Sequence, residues 1–140
     1  MVNRFLFDTS AFIAFLQAEP GAPRIRDLLE QSARRESDVI GCFVSLTEVQ
    51  YITHYDFGEE AARATIADMK RLPVIWLHTD DALCSTAADI KASHRVSLAD
   101  AFVVASALRL DALLVHKDPE FAALPGPLKQ EMLPAKTGRT

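Results

Sequence analysis

Four carboxylates stand along this chain where they could do chemistry: Asp8, Glu48, Asp100 and Asp118. Asp8 follows the apolar run Phe5-Leu6-Phe7 and precedes two hydroxyls, Thr9 and Ser10. Asp100 lies inside an apolar stretch, with Leu98-Ala99 before it and Ala101-Phe102-Val103-Val104 after it. A carboxylate in such surroundings is costly to bury without a partner. No Lys or Arg stands three or four residues from Asp100 to pair with it along a helix. Carboxylates forced together without bases repel and raise one another's pKa. A divalent cation resolves that conflict, and an all-oxygen acidic site suits Mg²⁺ or Mn²⁺ rather than zinc. Phosphodiester hydrolysis is the chemistry such sites serve.

Each acid also has a purely structural reading. Ser45-Leu46-Thr47-Glu48 has the form of a capping box, and Ser97-Leu98-Ala99-Asp100 nearly so. Asp118 before Pro119 reads as an N-cap with proline at the first helical position. Asp8 before Thr9-Ser10 reads the same way, and the helix dipole alone favours acids in a first turn. Taken singly, capping is the better account of every one. Four together, at successive strand-to-helix junctions, shift the balance.

The hydrophobic pattern supplies the elements that must position them. Short apolar or β-branched runs predict strands at Arg4–Phe7, Val39–Val44, Val74–Leu77 and Ala112–His116, with an edge strand within Leu128–Leu133. Helical spacing and cap signals predict helices at Ser10–Gln17, Pro23–Arg35, Ser45–Tyr55 and Glu59–Leu72, from Thr79 or Asp80 to about Ser93, and at Ser97–Leu110, with a short one from Asp118 to Ala123. Strands that alternate with helices predict an α/β fold with a central, mostly parallel sheet covered on both faces. Right-handed crossovers then bring the strands' C-terminal ends to one edge, where ligands bind. Asp8, Glu48 and Asp118 are expected at that edge, with Asp100 one helix away.

Length and composition agree with one domain: 140 residues, 49% apolar and 24% charged. Residues 1–134 are expected to form it, with a loose tail over 135–140. The formal charge of −4 excludes binding nucleic acid by bulk positive charge. Without the four acids, acids and bases would balance at 15 each. Cys42 and Cys84 are too few for a zinc site and read as reduced, packed thiols. No run approaches the ~20 apolar residues of a membrane span. Asp8 interrupts the first apolar run, which leaves no signal-peptide core. Arg24, Arg26, Arg34 and Arg35, and the group Lys91, His94 and Arg95, read first as solvated faces. Trp76, between Ile75 and Leu77, reads as core. Phe12, Ile13, Phe15 and Leu16 exceed what one short helix needs for a core. The remainder, with helix Pro23–Arg35, offers a dimer surface or a groove for an apolar helix.

Asp8-Thr9-Ser10-Ala11-Phe12-Ile13, Ser45-Leu46-Thr47-Glu48-Val49, Ser97-Leu98-Ala99-Asp100-Ala101 and Lys117-Asp118-Pro119-Glu120-Phe121, in this order and spacing, resemble the acidic motifs of PIN-domain ribonucleases. The chain is most similar to the small toxins of VapBC-type toxin–antitoxin pairs, from Phe5 to about Leu133. The resemblance implies a PIN-like fold and a Mg²⁺- or Mn²⁺-dependent endoribonuclease. It makes Asp8, Glu48, Asp100 and Asp118 the catalytic, metal-binding quartet, with a hydroxyl lent by Thr9 or Ser10. It also implies an RNA substrate, a cognate antitoxin, a homodimer and a cytoplasmic location. Two residues before the last acid the family often has Thr or Ser, and here stands His116, which reads first as a packed or surface histidine. Two rivals are weighed. A receiver-type signalling domain would use Lys117 but needs two acids after the first strand and an Asp after a central one, which are missing. A PIN-like module that binds without cutting would commonly have lost an acid, and all four are present.

Overall fold

The computed structural model describes residues 2–124 and 126–135. Its elements run β1 (Asn3–Phe7), α1 (Thr9–Leu16), α2 (Ala22–Ala33), β2 (Ser37–Cys42), α3 (Phe43–Phe57) and α4 (Glu59–Arg71). There follow β3 (Ile75–Leu77), α5 (Asp81–Ser93), α6 (Leu98–Leu110), β4 (Leu113–His116), α7 (Pro119–Ala122) and β5 (Gln130–Met132). The five strands form one sheet in the order β3-β2-β1-β4-β5, and every pairing is parallel. The expected α/β architecture is therefore the observed one.

Strand periodicity sorts the core into two sides. Phe5 and Phe7 of β1 and Val39 of β2 join Phe12, Ile25, Leu28, Val49 and Met69, so α1 to α4 cover that face. Leu6, Ile40 and Leu114 face the other way, onto Val103, Val104, Ala107 and Phe121 of α6 and α7. Helix α5 packs outside α6 through Leu83 and Ala87. Both sides of β1 are dry, as a central parallel strand requires. One close approach fixes a residue type. Gly41 in β2 pairs with Trp76 in β3, and a Cβ on Gly41 would lie 2.3 Å from the indole. The indole lies across that glycine and stacks on Phe12 at 5.3 Å, which is the core role expected of Trp76.

The sheet order reverses at β1, whose neighbours are β2 on one side and β4 on the other. A switch point of this kind opens a crevice at the carboxyl ends of the strands. Asp8 lies directly after β1, and its backbone N–H donates to the Val115 carbonyl of β4 at 3.0 Å.

Three expectations need correcting. β2 ends at Cys42, and Phe43-Val44 already belong to α3. The capping box at Ser45 is therefore absent: Cys42 is the N-cap residue, Ser45 is fully buried, and Glu48 falls in the second turn. An apolar strand that runs straight into an apolar helix leaves no polar punctuation to mark the join. The surplus apolar surface of α1 does not continue onto α2, because Ile25, Leu28 and Leu29 of α2 all enter the core. It faces a groove of about 640 Å³ between α1, α3 and α4, lined by Ile13, Leu16, Val49, Ile52, Phe57 and Ala61. The edge strand forms, but only over Gln130–Met132. Of the expected tail, 135–140, residues 136–140 lie outside the described residues.

Candidate active site and metal centre

Asp8 is 4% exposed. Its Oδ2 accepts from the Ser10 N–H at 3.0 Å and from the Ser10 hydroxyl at 2.5 Å, so it caps α1 as the sequence suggests. Oδ1 is buried and has no partner. A cap needs only one of the two oxygens, so capping does not explain the other. Burial pushes the Asp8 carboxyl up to about 6, against the opposing pull of its Ser10 hydrogen bonds.

Glu48 reaches α1 from the second turn of α3. The Thr9 hydroxyl donates to Glu48 Oε1 at 2.6 Å and lies 2.9 Å from the Ser45 hydroxyl. Thr9 has one proton and gives it to Glu48, so Ser45 must donate to Thr9. The two hydroxyls that follow Asp8 therefore divide the work. Ser10 orients Asp8, and Thr9 orients Glu48 with Ser45 behind it. Ser45 in this supporting role escapes the sequence, where it reads as a cap.

Asp100 stands at the N3 position of α6, and its N–H donates to the Ser97 cap at 3.0 Å. Its carboxyl is raised to about 7, first by burial and then by the negative charges of Asp8, Asp118 and Glu48. Asp8, Asp118 and Glu48 thus lie within electrostatic reach of Asp100. Asp118 caps α7, with Oδ1 accepting from the Glu120 N–H at 2.9 Å. Carboxylate oxygens of Asp100, Asp118 and Glu120 lie within 4.8 Å of one another. Glu120 is a fifth acid that the four-motif reading does not single out. The signal was the D-P-E spacing, which folds back on itself once Asp118 caps a helix.

His116 is fully buried at the end of β4, as a packed histidine. Its Nδ1 accepts from the Asp118 N–H at 3.1 Å, which places the ring proton on Nε2. Nε2 lies 2.9 Å from Gln130 Oε1 and donates to it, while Gln130 Nε2 donates to the Phe121 carbonyl at 2.9 Å. Burial lowers the imidazole pKa, so the ring stays neutral. The histidine holds the loop that carries Asp118.

The basic residues divide. Arg24 forms a two-point pair with Glu131, and Arg34 one with Glu36, so neither is free to grip a ligand. Lys91, in the last turn of α5, and Arg95, in the connection that leads to α6 and Asp100, are exposed.

A half-buried group of carboxylates, with one orphaned oxygen on the buried Asp8 and two carboxyls whose pKa is raised toward neutral pH, fits a hard divalent cation. The family model of the PIN domain matches residues 5–127. The chain belongs to the PIN domain family. Comparison with curated proteins gives no match. Among solved structures, this PIN domain is similar to a chain of VapBC2 from Rickettsia felis bound to a promoter DNA fragment, with a TM-score of 0.74 at 12% identity over 94% of this chain and 99% of that one. It is similar to a chain of DNA-bound VapBC from Salmonella typhimurium, with a TM-score of 0.72 at 22% identity over 94% and 98%. Mycobacterium tuberculosis VapC20, described as a Sarcin-Ricin loop cleaving toxin, gives 0.67 at 22% identity over 85% and 93%. These likenesses show a shared fold. A receiver domain is excluded by the PIN match, and Lys117, which such a domain would direct at its acids, instead pairs with Glu19. Among the described residues, no helix is long and apolar enough to cross a membrane.

Proposed function

We propose that this PIN domain is a Mg²⁺- or Mn²⁺-dependent endoribonuclease and the cytoplasmic toxin of a VapBC-type pair. The observation that carries the reading is the grouping of Asp100, Asp118 and Glu120 carboxylate oxygens within 4.8 Å of one another, with Asp8 Oδ1 buried and unpartnered. Asp8 and Asp100 would hold a cation directly, Glu48 directly or through water, and Asp118 would complete the site, with Glu120 within reach of it. When bound, the cation neutralises charge on the scissile phosphate and acidifies nearby water. Ser10 fixes the Asp8 carboxylate and Thr9 that of Glu48. In-line attack by water forms one P–O bond and breaks the bond to the 3′ oxygen, which takes up a proton. The products are a 5′-phosphate and a 3′-hydroxyl.

The groove between α1, α3 and α4 suits the apolar face of a short helix. An antitoxin segment is its proposed occupant, in keeping with the VapBC complexes this fold resembles. A homodimer is the assembly proposed from the family.

The test is cleavage of total cellular RNA by purified protein in Mn²⁺, in Mg²⁺ and in EDTA, with Asp100→Asn beside it. Cleavage that requires the cation and vanishes in the variant is expected, with 5′-phosphate ends. Calorimetric Mn²⁺ binding without cleavage of any RNA would instead mark a silent binding module.

A further inference from the structure

Lys117 immediately precedes Asp118, yet its side chain turns away from the acids. Its Nζ donates to Glu19 Oε1 at 3.2 Å and to the Pro20 carbonyl at 3.0 Å. The two side chains are only 8% and 12% exposed. By contrast, the side chains of the Arg24–Glu131 and Arg109–Asp80 pairs are between 30% and 57% exposed. Withdrawing two charges from water is costly, and a buried pair is no better for stability than apolar side chains of the same volume. What such a pair does supply is a fixed geometry.

That geometry concerns the acids. The Lys117 backbone N–H donates to the Ser10 hydroxyl at 2.9 Å, and the same hydroxyl donates to Asp8 Oδ2. The next backbone N–H, that of Asp118, is taken by His116. Lys117 thus ties the loop that carries Asp118 to α1 twice. Its backbone grips the first turn, which Asp8 caps, and its ammonium grips the turn that follows the helix.

We propose that Lys117 is a positioning residue for the cation site, and that its buried pair with Glu19 sets the spacing between Asp8 and Asp118. This rests on the reading of the acids as a cation site.

The experiment compares wild type, Lys117→Met, the double variant E19M/K117M, and R24M/E131M as an exposed-pair control. Amide exchange at residues 117 and 118 is followed by NMR without metal, and Mn²⁺ affinity is measured by calorimetry. Lys117→Met alone leaves Glu19 buried beside a neutral side chain and melts lower, whereas the double variant recovers the wild-type melting temperature within a few degrees. In the folded double variant, the two amides exchange at least tenfold faster and Mn²⁺ binds at least tenfold more weakly, while the control matches wild type. A folded double variant with wild-type exchange and wild-type Mn²⁺ affinity overturns the proposal. If wild type itself binds no Mn²⁺, the cation-site reading falls. The exchange arm then still decides whether Lys117 orders the Asp118 loop: acceleration upholds that role, and unchanged exchange refutes it.

Discussion

The Thr9 hydroxyl donates to Glu48 across the α1–α3 contact at 2.6 Å, and Ser45 donates to Thr9 from below. A residue next to Asp8 in sequence thereby sets the orientation of an acid 39 positions away in the chain. Thr9→Val keeps the volume and removes the relay. It leaves the buried Ser45 hydroxyl without its acceptor, which costs about 1–3 kcal/mol. We expect Thr9→Val to melt lower and to bind Mn²⁺ more weakly, and Thr9→Ser to retain both properties. Equal Mn²⁺ affinity in Thr9→Val and wild type would show that Glu48 needs no such support.

Asp8 has two duties, and they can be separated. Asn at this position keeps an oxygen for the Ser10 N–H and drops the charge. Ala drops both and loses a cap contribution of about 1 kcal/mol. Without metal, Asp8→Asn should therefore melt above Asp8→Ala. Under the proposed function both should lose at least a hundredfold in RNA cleavage. A melting order reversed between the two would contradict the cap geometry.

Stability should depend on pH in a direction set by the raised carboxyls. Asp8 titrates at about 6 and Asp100 at about 7 in the folded chain, against 3.8 for each when unperturbed. The folded state holds these protons more tightly than the unfolded state does. Their contribution to stability is complete below about pH 4 and is lost as pH rises through about 6 to 7. For the deeply buried Asp8 this amounts to about 2–3 kcal/mol. The metal-free melting temperature should fall over that window, beyond the general trend of the chain. Mn²⁺ should restore it more at pH 8 than at pH 5, because a cation binds the ionised acids. Asp100→Asn should flatten the profile. A metal-free profile equally steep in Asp100→Asn would remove Asp100 as its source.

His116 should titrate below the ordinary imidazole range. Its neutral ring should report a single tautomer, protonated at Nε2, in nitrogen-15 spectra. Gln130→Leu removes the acceptor for that proton and should loosen Asp118 without touching any acid. A histidine that titrates near 6.5 would place it outside the packed network described.

The parts of this site that the sequence announced are those where a polar residue interrupts an apolar run. Asp8 after Phe7, Asp118 before Pro119, and Asp100 behind Ser97 all stand at such breaks, and the structure caps a helix at each. Glu48 stands at none. Phe43-Val44 carry the apolar run of β2 into α3, so the helix starts two residues before any polar signal and Ser45 turns inward. Glu120 was hidden for another reason. It is exposed, and only the backward fold of a four-residue helix brings it to Asp100. The groove beside α1 depends on which way α3 and α4 lean, which no local pattern encodes.

The strand β5 lies at the edge of the sheet and holds the last anchors of the Asp118 loop. Gln130 receives the His116 proton, and the Leu133 N–H donates to the His116 carbonyl at 2.7 Å. Every acid of the cluster precedes these residues in the chain. During synthesis from the N-terminus, the ribosome releases all five carboxylates before the groups that hold the fourth and fifth in place. The order of the sequence thus delays anchoring of the Asp118 loop until translation has passed residue 133, and a chain terminated before β5 would carry the acids without those anchors.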